Sequence, residues 1–583
     1  MRSRPFAFFC LWVFLPALAT SAFSQSPPSS DTTFTSNSEL VLVPVHVSDV
    51  YGRPMRGLRQ ENFVLKSDGN PQRVSIFEEI QPSTGPGLPP GAAAPVVPNS
   101  FSNLPAAGLP HQAVIVALDL VNTPVLLQGW AKTQTVKYLA SRPPQQPLAI
   151  VAFTPGGLRE VCSFTSDTAR LIAAVNRVGV RLTNNELNEI ITSYMDPMGH
   201  IDSYAYLRSA QQDIQNQKVP GDLDAGSATL HDFEQLAWAY SGVPGRKTVL
   251  WLTAGFPIAE EVMDGPTMLG RMSRPNSITP YSSGRFLNTM LLPQFHRAFT
   301  ALNKSDVVVY PIDVKGLLMD SMWDVTSPAG LYIHPGLSHL YPALPNNAGA
   351  ASDGMKELAH RTGGKTCIAG NNLNDCMERA LNESSDYYLL GFYVSQQERK
   401  VGWHKLKVGL NVDHGEVRAR STYYLRPLGT PPEQEQEEDL RSAIFAGVDY
   451  TGVFFSVEPA ARPADPKAPV VFRIWVPAGS VQLLPGQDKL SYDVIGIPLS
   501  RKGEPVGDKS RIVNIDVAPK DVQKALSRGW NLLDFVPAAP EVDGVKVIVR
   551  DNSTGRVGSV VFPLSTESAT VGAKPLVPLA PPK

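Results

Sequence analysis

The stretch VIVALDLVNTPV, residues 114–125, runs apolar residues straight into Asp119 and, four positions on, Thr123. A buried strand that delivers a carboxylate and a hydroxyl to one loop supplies hard oxygen donors of the kind Mg²⁺ requires. Each residue also has a plain structural use: Asp119 caps the turn after the strand, and Thr123 sits in a turn before Pro124. Asp313, in YPIDVKG, ends another strand of the same type and reads as a similar cap. Other chemistry is sparse. The chain has no Gly-x-Ser-x-Gly elbow, His-Glu-x-x-His pair or Cys-x-x-Cys. His334 and His339, in YIHPGLSHLYP, lie in a Pro-rich stretch and read as loop residues. Thr362-Gly363-Gly364 reads as a turn, because no Lys-Ser/Thr follows at phosphate-loop spacing.

The elements that position these residues begin with a small β unit at 38–80. Leu40–Val47 alternates as a strand with His46 facing outward, and two short strands flank Asp68-Gly69, a strong hairpin signal. Residues 81–110, rich in Pro, Gly and Ala, read as a linker. From 111 onward, apolar strands at 113–119, 147–153, 246–253, 307–312 and 387–394 alternate with helical patterns at 126–139, 167–178, 230–240, 287–302, 354–361 and 374–383. Such alternation predicts an α/β fold, a mainly parallel sheet with helices on both faces. Polar insertions interrupt it at about 182–227, 258–285 and 318–352. A hairpin at 405–423 closes this domain at 425. The acidic run PPEQEQEEDL marks a linker at 426–440. About seven strands then predict a β-sandwich over 441–565, followed by a disordered tail at 566–583.

The 583 residues exceed what one core organises, and 52 Lys+Arg against 54 Asp+Glu leave a net charge of -2 without a basic cluster. Nucleic acid is therefore excluded as the expected partner. Arg2 and Arg4, an apolar run through Leu18, and small residues to Ser24 form a signal-peptide layout over 1–24. The protein is expected to be exported, to the periplasm or beyond, with no integral span after signal cleavage. Of the remaining cysteines, Cys367 and Cys376 flank the loop IAGNNLND and are expected to form a disulfide. Cys162, in VCSF, is then a buried thiol.

Several segments, in order, are VHVSDVYGRPMRGLRQENFVLKSDGNPQRVSIFEE, ALDLVNTP, FTSD, PGRKTVLWLTAGFP, VVVYPIDVKGL, LAHRTGGKT and SSDYYLLGFYV. Together they resemble the VWFA-related domain proteins, acidobacterial-type relatives of the von Willebrand factor A domain, over roughly residues 40–425. The resemblance implies a doubly wound sheet and a metal-ion-dependent adhesion site that grips a partner carboxylate through Mg²⁺. The family pattern is Asp-x-Ser-x-Ser, a Thr from a second loop, and Thr-Asp-Gly. This chain offers Asp119 and Thr123, with Thr229 in the second-loop role and Asn122 as a substitute donor, but Val121 and Ala254 stand where oxygen ligands belong. The site is therefore expected to be degenerate, with no resident cofactor and at most weak Mg²⁺ binding.

These observations predict a non-enzymatic, exported binding or adhesion protein that recognises a protein or cell-surface partner. The alternative is a hydrolase, or an accessory subunit of an envelope enzyme, with its site in the insertions or the C-terminal domain.

Overall fold

The structure is a computed structural model. It describes residues 39–81, 100–103, 113–180, 223–256, 283–315, 347–425 and 433–564, apart from short gaps at 143–146, 244, 369–371, 396–398, 413–414, 461–467, 485–486, 507–509 and 538. The signal-like N-terminus, nearly all of each insertion with His334 and His339, and the tail lie outside the described residues.

In chain order the elements begin with β1 (Glu39–Ser48), β2 (Phe63–Ser67), β3 (Asn70–Gln72), β4 (Ile76–Ile80), β5 (Phe101–Ser102) and β6 (Ala113–Asp119). They continue with α1 (Val125–Ser141), β7 (Leu148–Phe153), β8 (Arg159–Thr165), α2 (Thr168–Arg177), α3 (223–239) and β9 (Lys247–Thr253). Next come α4 (Ser283–Lys304), β10 (Val307–Asp313), α5 (Asn347–Thr362), α6 (Leu373–Ser385), β11 (Tyr387–Val394), β12 (Gly402–Leu410), β13 (Glu416–Ala419) and β14 (Thr422–Leu425). The last are α7 (Glu433–Phe445), β15 (Ser456–Pro459), β16 (Val470–Val476), β17 (Leu490–Leu499), β18 (Arg511–Val517), α8 (Pro519–Arg528), β19 (Trp530–Val536), β20 (Gly544–Asp551) and β21 (Val557–Pro563).

The expected fold class, a doubly wound, mainly parallel von Willebrand factor A-like sheet, is corrected by the strand pairing. Among the described residues there are five sheets. Four are antiparallel throughout, and the fifth, β10-β9-β6-β7-β8, is mixed, with β8 antiparallel on its edge. Among the described residues the fold is mostly antiparallel β, with eight α-helices.

Strand β11 shows why the sequence misleads. Its run YYLLGFYV has the continuous apolar character of a buried parallel strand, yet it pairs antiparallel with β1 from Glu39↔Val394 to Val45↔Tyr388, and with β4. The segment 405–423 does not make one simple hairpin either: β13 joins β1, whereas β12 and β14 join β2 in a second sheet. The two sheets enclose one core containing Val43, Val45, Phe63, Leu65, Leu390 and Phe392. The expected small unit 38–80 is thus half of a sandwich completed by 387–425, and the expected domain of 111–425 does not close on itself. The Asp68-Gly69 turn is as expected, with φ 48° and 85°, the positive values a two-residue hairpin needs. His46 faces inward instead of outward; its Nδ1 lies 2.9 Å from the Asp386 carbonyl oxygen.

In the mixed sheet, β6, β7, β9 and β10 are buried along their whole lengths. Apolar side chains of α1, α2 and α6 cover one face, and those of α3, α4 and α5 cover the other. Helix α2 begins at Asp167, whose Oδ1 accepts from the Arg170 N–H at 3.1 Å and satisfies one orphan donor of the first turn.

Two β-sheets, β19-β16-β15-β5 and β18-β17-β20-β21, pack as the expected C-terminal sandwich around Phe472, Tyr492, Val547 and Phe562. The described parts of the expected linkers on either side take part in the fold. Within 81–110, β5 adds a strand to β15, and buried Asn103 donates to the Tyr450 and Val453 carbonyls while accepting from the Phe455 N–H. Within 426–440, the acidic run forms the start of α7: Asp439 is buried 3.9 Å from the fully buried Arg550, and Glu438 pairs with Arg297 of α4. Ile495, Ile497, Leu499 and Ile548 of the sandwich share a continuous core with Phe153, Trp251 and Phe299. The described residues all belong to one compact unit.

Candidate functional site

The carboxyl ends of β6 and β9 and the N-terminal half of α3 bring Asp119, Asn122, Thr123, Thr229 and Thr253 together. Asp119 is buried, and both of its oxygens are engaged by protein donors. Oδ1 accepts from the N–H groups of Val121 (2.8 Å) and Asn122 (2.9 Å). Oδ2 accepts from Asn122 Nδ2 (2.8 Å) and Thr253 Oγ1 (2.7 Å). The Asn122 amide also donates to Thr229 Oγ1 at 2.8 Å, so it bridges the two oxygens that the sequence singled out as ligands. Thr123 Oγ1 accepts from the Ala254 N–H at 3.2 Å, which stitches the β6 and β9 loops together. Thr229 Oγ1 donates to the Ala225 carbonyl at 2.8 Å. The three expected residues, Asp119, Thr123 and Thr229, therefore do converge.

In this arrangement protein donors stand around Asp119 where a divalent cation would have to approach. A carboxylate offers about four lone-pair sites, and four donors occupy those of Asp119. Asn122 presents its amide nitrogen, a donor, where an oxygen ligand was expected. Val121 joins the hydrophobic core, and Ala254 packs at the edge of the core on the other face of the sheet. Among the described residues no group of three or more His, Cys, Asp or Glu side chains is placed to hold a metal ion. Asp313 has the structural role expected of it, with Oδ1 accepting from the Lys315 N–H at 2.9 Å.

One face of α3 extends the site in a way the sequence reading missed. Thr229, Asp232 and Gln235 recur every three residues and therefore share a helix face. Each serves a different anchor: Thr229 meets Asn122, Asp232 Oδ2 accepts from the Thr154 N–H at 2.9 Å, and Gln235 Oε1 accepts from the Leu158 N–H at 2.8 Å. The detectable signal is a polar stripe in TLHDFEQLAWAY beside apolar Leu230, Phe233 and Leu236. Beneath it, Phe233 packs edge-on against Phe153 (4.8 Å between centroids) and Trp251 (5.0 Å), a rigid floor for the loops.

Burial pushes the Asp119 carboxyl above the usual aspartate range, against the pull of its four donors. Burial, and then the charge of Asp119, push Asp232 well above that range, and Asp232 Oδ1 has no hydrogen-bond partner among the described residues. Above pH 4 the unfolded chain ionises these acids while the folded chain resists, so folding stability falls as pH rises towards their folded values, by up to about 1.4 kcal/mol per pH unit per group. We expect Asp232→Asn, which keeps an oxygen for the Thr154 N–H, to flatten that fall and to exceed the parent in stability near pH 8. Urea midpoints taken from pH 4.5 to 8 check this; parallel curves for the two proteins would show that Asp232 ionises normally.

Beside the Asp119 loop lies an open depression of about 270 Å³. Its walls include Leu120, Thr154 and Val178, and its rim carries the exposed Arg159 and Arg177.

No protein-family model and no curated protein matches the chain. Among solved structures, the pilus adhesin SpaC of Lactobacillus rhamnosus GG is similar at 9% identity and a TM-score of 0.23, with 76% of this chain covered. This chain spans about half, 53%, of that protein's length. Three N-terminal domains of the type V pili tip protein Mfa5 of Porphyromonas gingivalis are similar at 10% identity and a TM-score of 0.22, covering 86% of this chain and 96% of that one. At these scores neither likeness carries a fold or a function. Among the described residues no helix is long and apolar enough to cross a membrane.

Proposed function

We propose that the protein is an exported binding protein of adhesion type, which contacts a protein or cell-surface partner through the loops at the carboxyl end of the mixed sheet, without a bridging cation. The observation that carries this reading is the occupation of Asp119 by four protein donors, with the Asn122 amide spanning Asp119 and Thr229. The loops are held in shape by the protein itself, so a partner meets a preorganised surface and little ordering entropy is lost on docking. The two arginines at the rim of the neighbouring depression favour acidic groups on that partner.

The test is capture from native envelope extract on the immobilised mature chain, with and without EDTA, alongside calorimetric titration with Mg²⁺ and Mn²⁺. The expected result is a retained partner that EDTA does not release, that elutes with salt, and that the double variant Arg159→Glu/Arg177→Glu fails to hold. Neither ion should give saturable heat at low millimolar concentration. A partner released by EDTA, or no retained partner at all, overturns the reading.

A further inference from the structure

We propose that the Cys367–Cys376 bridge is a thiol-exchange site, open to attack by a thiolate, and not only a staple. The two cysteines form a disulfide with Cα atoms 6.0 Å apart. Cys367 is partly exposed and is fixed to the edge of β10, where its N–H donates to the Pro311 carbonyl at 2.9 Å and its carbonyl accepts from the Asp313 N–H at 2.9 Å. Cys376 is buried in the first turns of α6. Both cysteines line a cavity of about 190 Å³ that also has Lys365, Thr366 and Arg379 in its walls.

The decisive contact is Arg379. Its Nη2 lies 3.6 Å from Cys367 Sγ and 3.7 Å from Cys376 Sγ, within hydrogen-bonding reach of both sulfurs. A neutral disulfide gains little from a guanidinium, whereas a thiolate gains a charge-assisted hydrogen bond. Lys365 adds a second positive group on the cavity wall, while Glu383, the acidic group there, is held by Arg418 at 2.6 Å. The N-terminal part of α6 contributes its dipole in the same sense at Cys376. All three favour the reduced state, and a disulfide whose reduced form is stabilised is the more easily opened.

The step balances without further reagents. An incoming thiolate, its proton already lost to solvent, attacks Cys367 Sγ; a new S–S bond forms there and the Cys367–Cys376 bond breaks. Cys376 departs as a thiolate beside Arg379. A second thiolate attacks the incoming sulfur of the mixed disulfide and releases Cys367 as a thiolate. The bridge has then gained two electrons, and the two thiols leave as their own disulfide. The ligand class is a thiolate, either a free small thiol or a cysteine borne by a protein.

The inference is independent of the adhesion reading. It is tested on the full exported chain, equilibrated natively with glutathione buffers or with a reduced peptide carrying a single cysteine, then alkylated and mapped. Mapping separates both positions from Cys162, which lies outside the bridge. The bridge is expected to open in part at millimolar glutathione, and a mixed disulfide should be found on Cys367. The variant Arg379→Gln should lower the equilibrium constant for reduction about tenfold, a shift of about 30 mV, while Arg379→Lys stays within a few-fold of the parent. Opening by the peptide but not by glutathione identifies a protein-borne thiol as the reactant, and the reverse identifies a free thiol. A bridge that stays closed to both, or one that opens identically in Arg379→Gln, overturns the proposal.

Discussion

Replacing Asp119 by alanine is expected to destabilise the folded chain by about 4 kcal/mol, in buffer free of divalent ions. The carboxylate accepts two backbone N–H groups, one amide N–H and one hydroxyl, and Asp119 itself is buried. A buried donor left without an acceptor costs roughly 1–3 kcal/mol, and partial relaxation of the loop keeps the total below the sum of four such losses. Asp119→Asn should fall between the two, since its oxygen can replace one acceptor while its amide faces donors. Equilibrium urea denaturation of the three proteins, repeated with 5 mM added Mg²⁺ as a control, reads the effect directly. If the parent gains stability from Mg²⁺ and Asp119→Ala does not, the carboxylate is a metal ligand and the hydrogen-bonded loop is one of its two states.

The second large effect is expected at Gly242, where the chain leaves α3 and meets the C-terminal half. A Cβ there would lie 2.0 Å from the Thr451 carbonyl oxygen and 2.7 Å from the Phe454 ring. The first obstacle is backbone, and it is tied down: the Thr451 N–H donates to the Trp238 carbonyl, and Thr451 Oγ1 donates to the Ala239 carbonyl at 2.8 Å while accepting from the Gly242 N–H at 2.9 Å. Gly242→Ala therefore separates two packed halves or breaks these bonds, at about 3 kcal/mol or more. Because the halves share one core, the loss should appear as a single unfolding transition at a lower midpoint, seen alike by Trp fluorescence and far-UV circular dichroism. Two resolved transitions, with only the one assigned to 441–564 displaced, would show that the halves fold separately.

Much of the local structure is legible in the sequence. Strands such as AVIVALD and KTVLWLT are continuous apolar runs bounded by turn residues, and helices such as TARLIAAVNR carry a cap and a regular apolar stripe. What the sequence does not show is which sheet a strand joins. The run YYLLGFYV looks the same whether it lies beside β10 or beside β1, because pairing is decided by a partner more than 300 residues away. Composition misleads for EQEQEEDLRSAIF in the same way: its charged face dominates the count, while the packing rests on Leu440, Ala443, Ile444 and one buried acid, Asp439. At the site, the meeting of Asp119, Thr123 and Thr229 was legible through the family pattern that the sequence resembles, not through spacing alone. The role of Asn122 was not, because an amide supplies either an oxygen or a donor and only the neighbouring acceptors decide which faces inward. Asp232 escaped because a helical aspartate ordinarily faces water, and its burial depends on a backbone N–H from another loop.

The strand pairing at the start of the chain has a consequence for how the molecule comes into being. Apart from a bridge between its end and Pro54, strand β1 pairs with no strand until residues 387–394 and 416–419 exist, and β5 waits for residues 456–457. Loops of this length are slow to close, and contacts so distant in sequence slow the search for the native state. A chain delivered from its N-terminus therefore keeps β1, β4 and the outer edge of the β2–β3 hairpin unpaired until most of the polypeptide has emerged. Its vulnerable period is its own synthesis and delivery, and a chaperone that shields residues 39–80 during that interval should raise the yield of native protein more than one acting on the sandwich that follows.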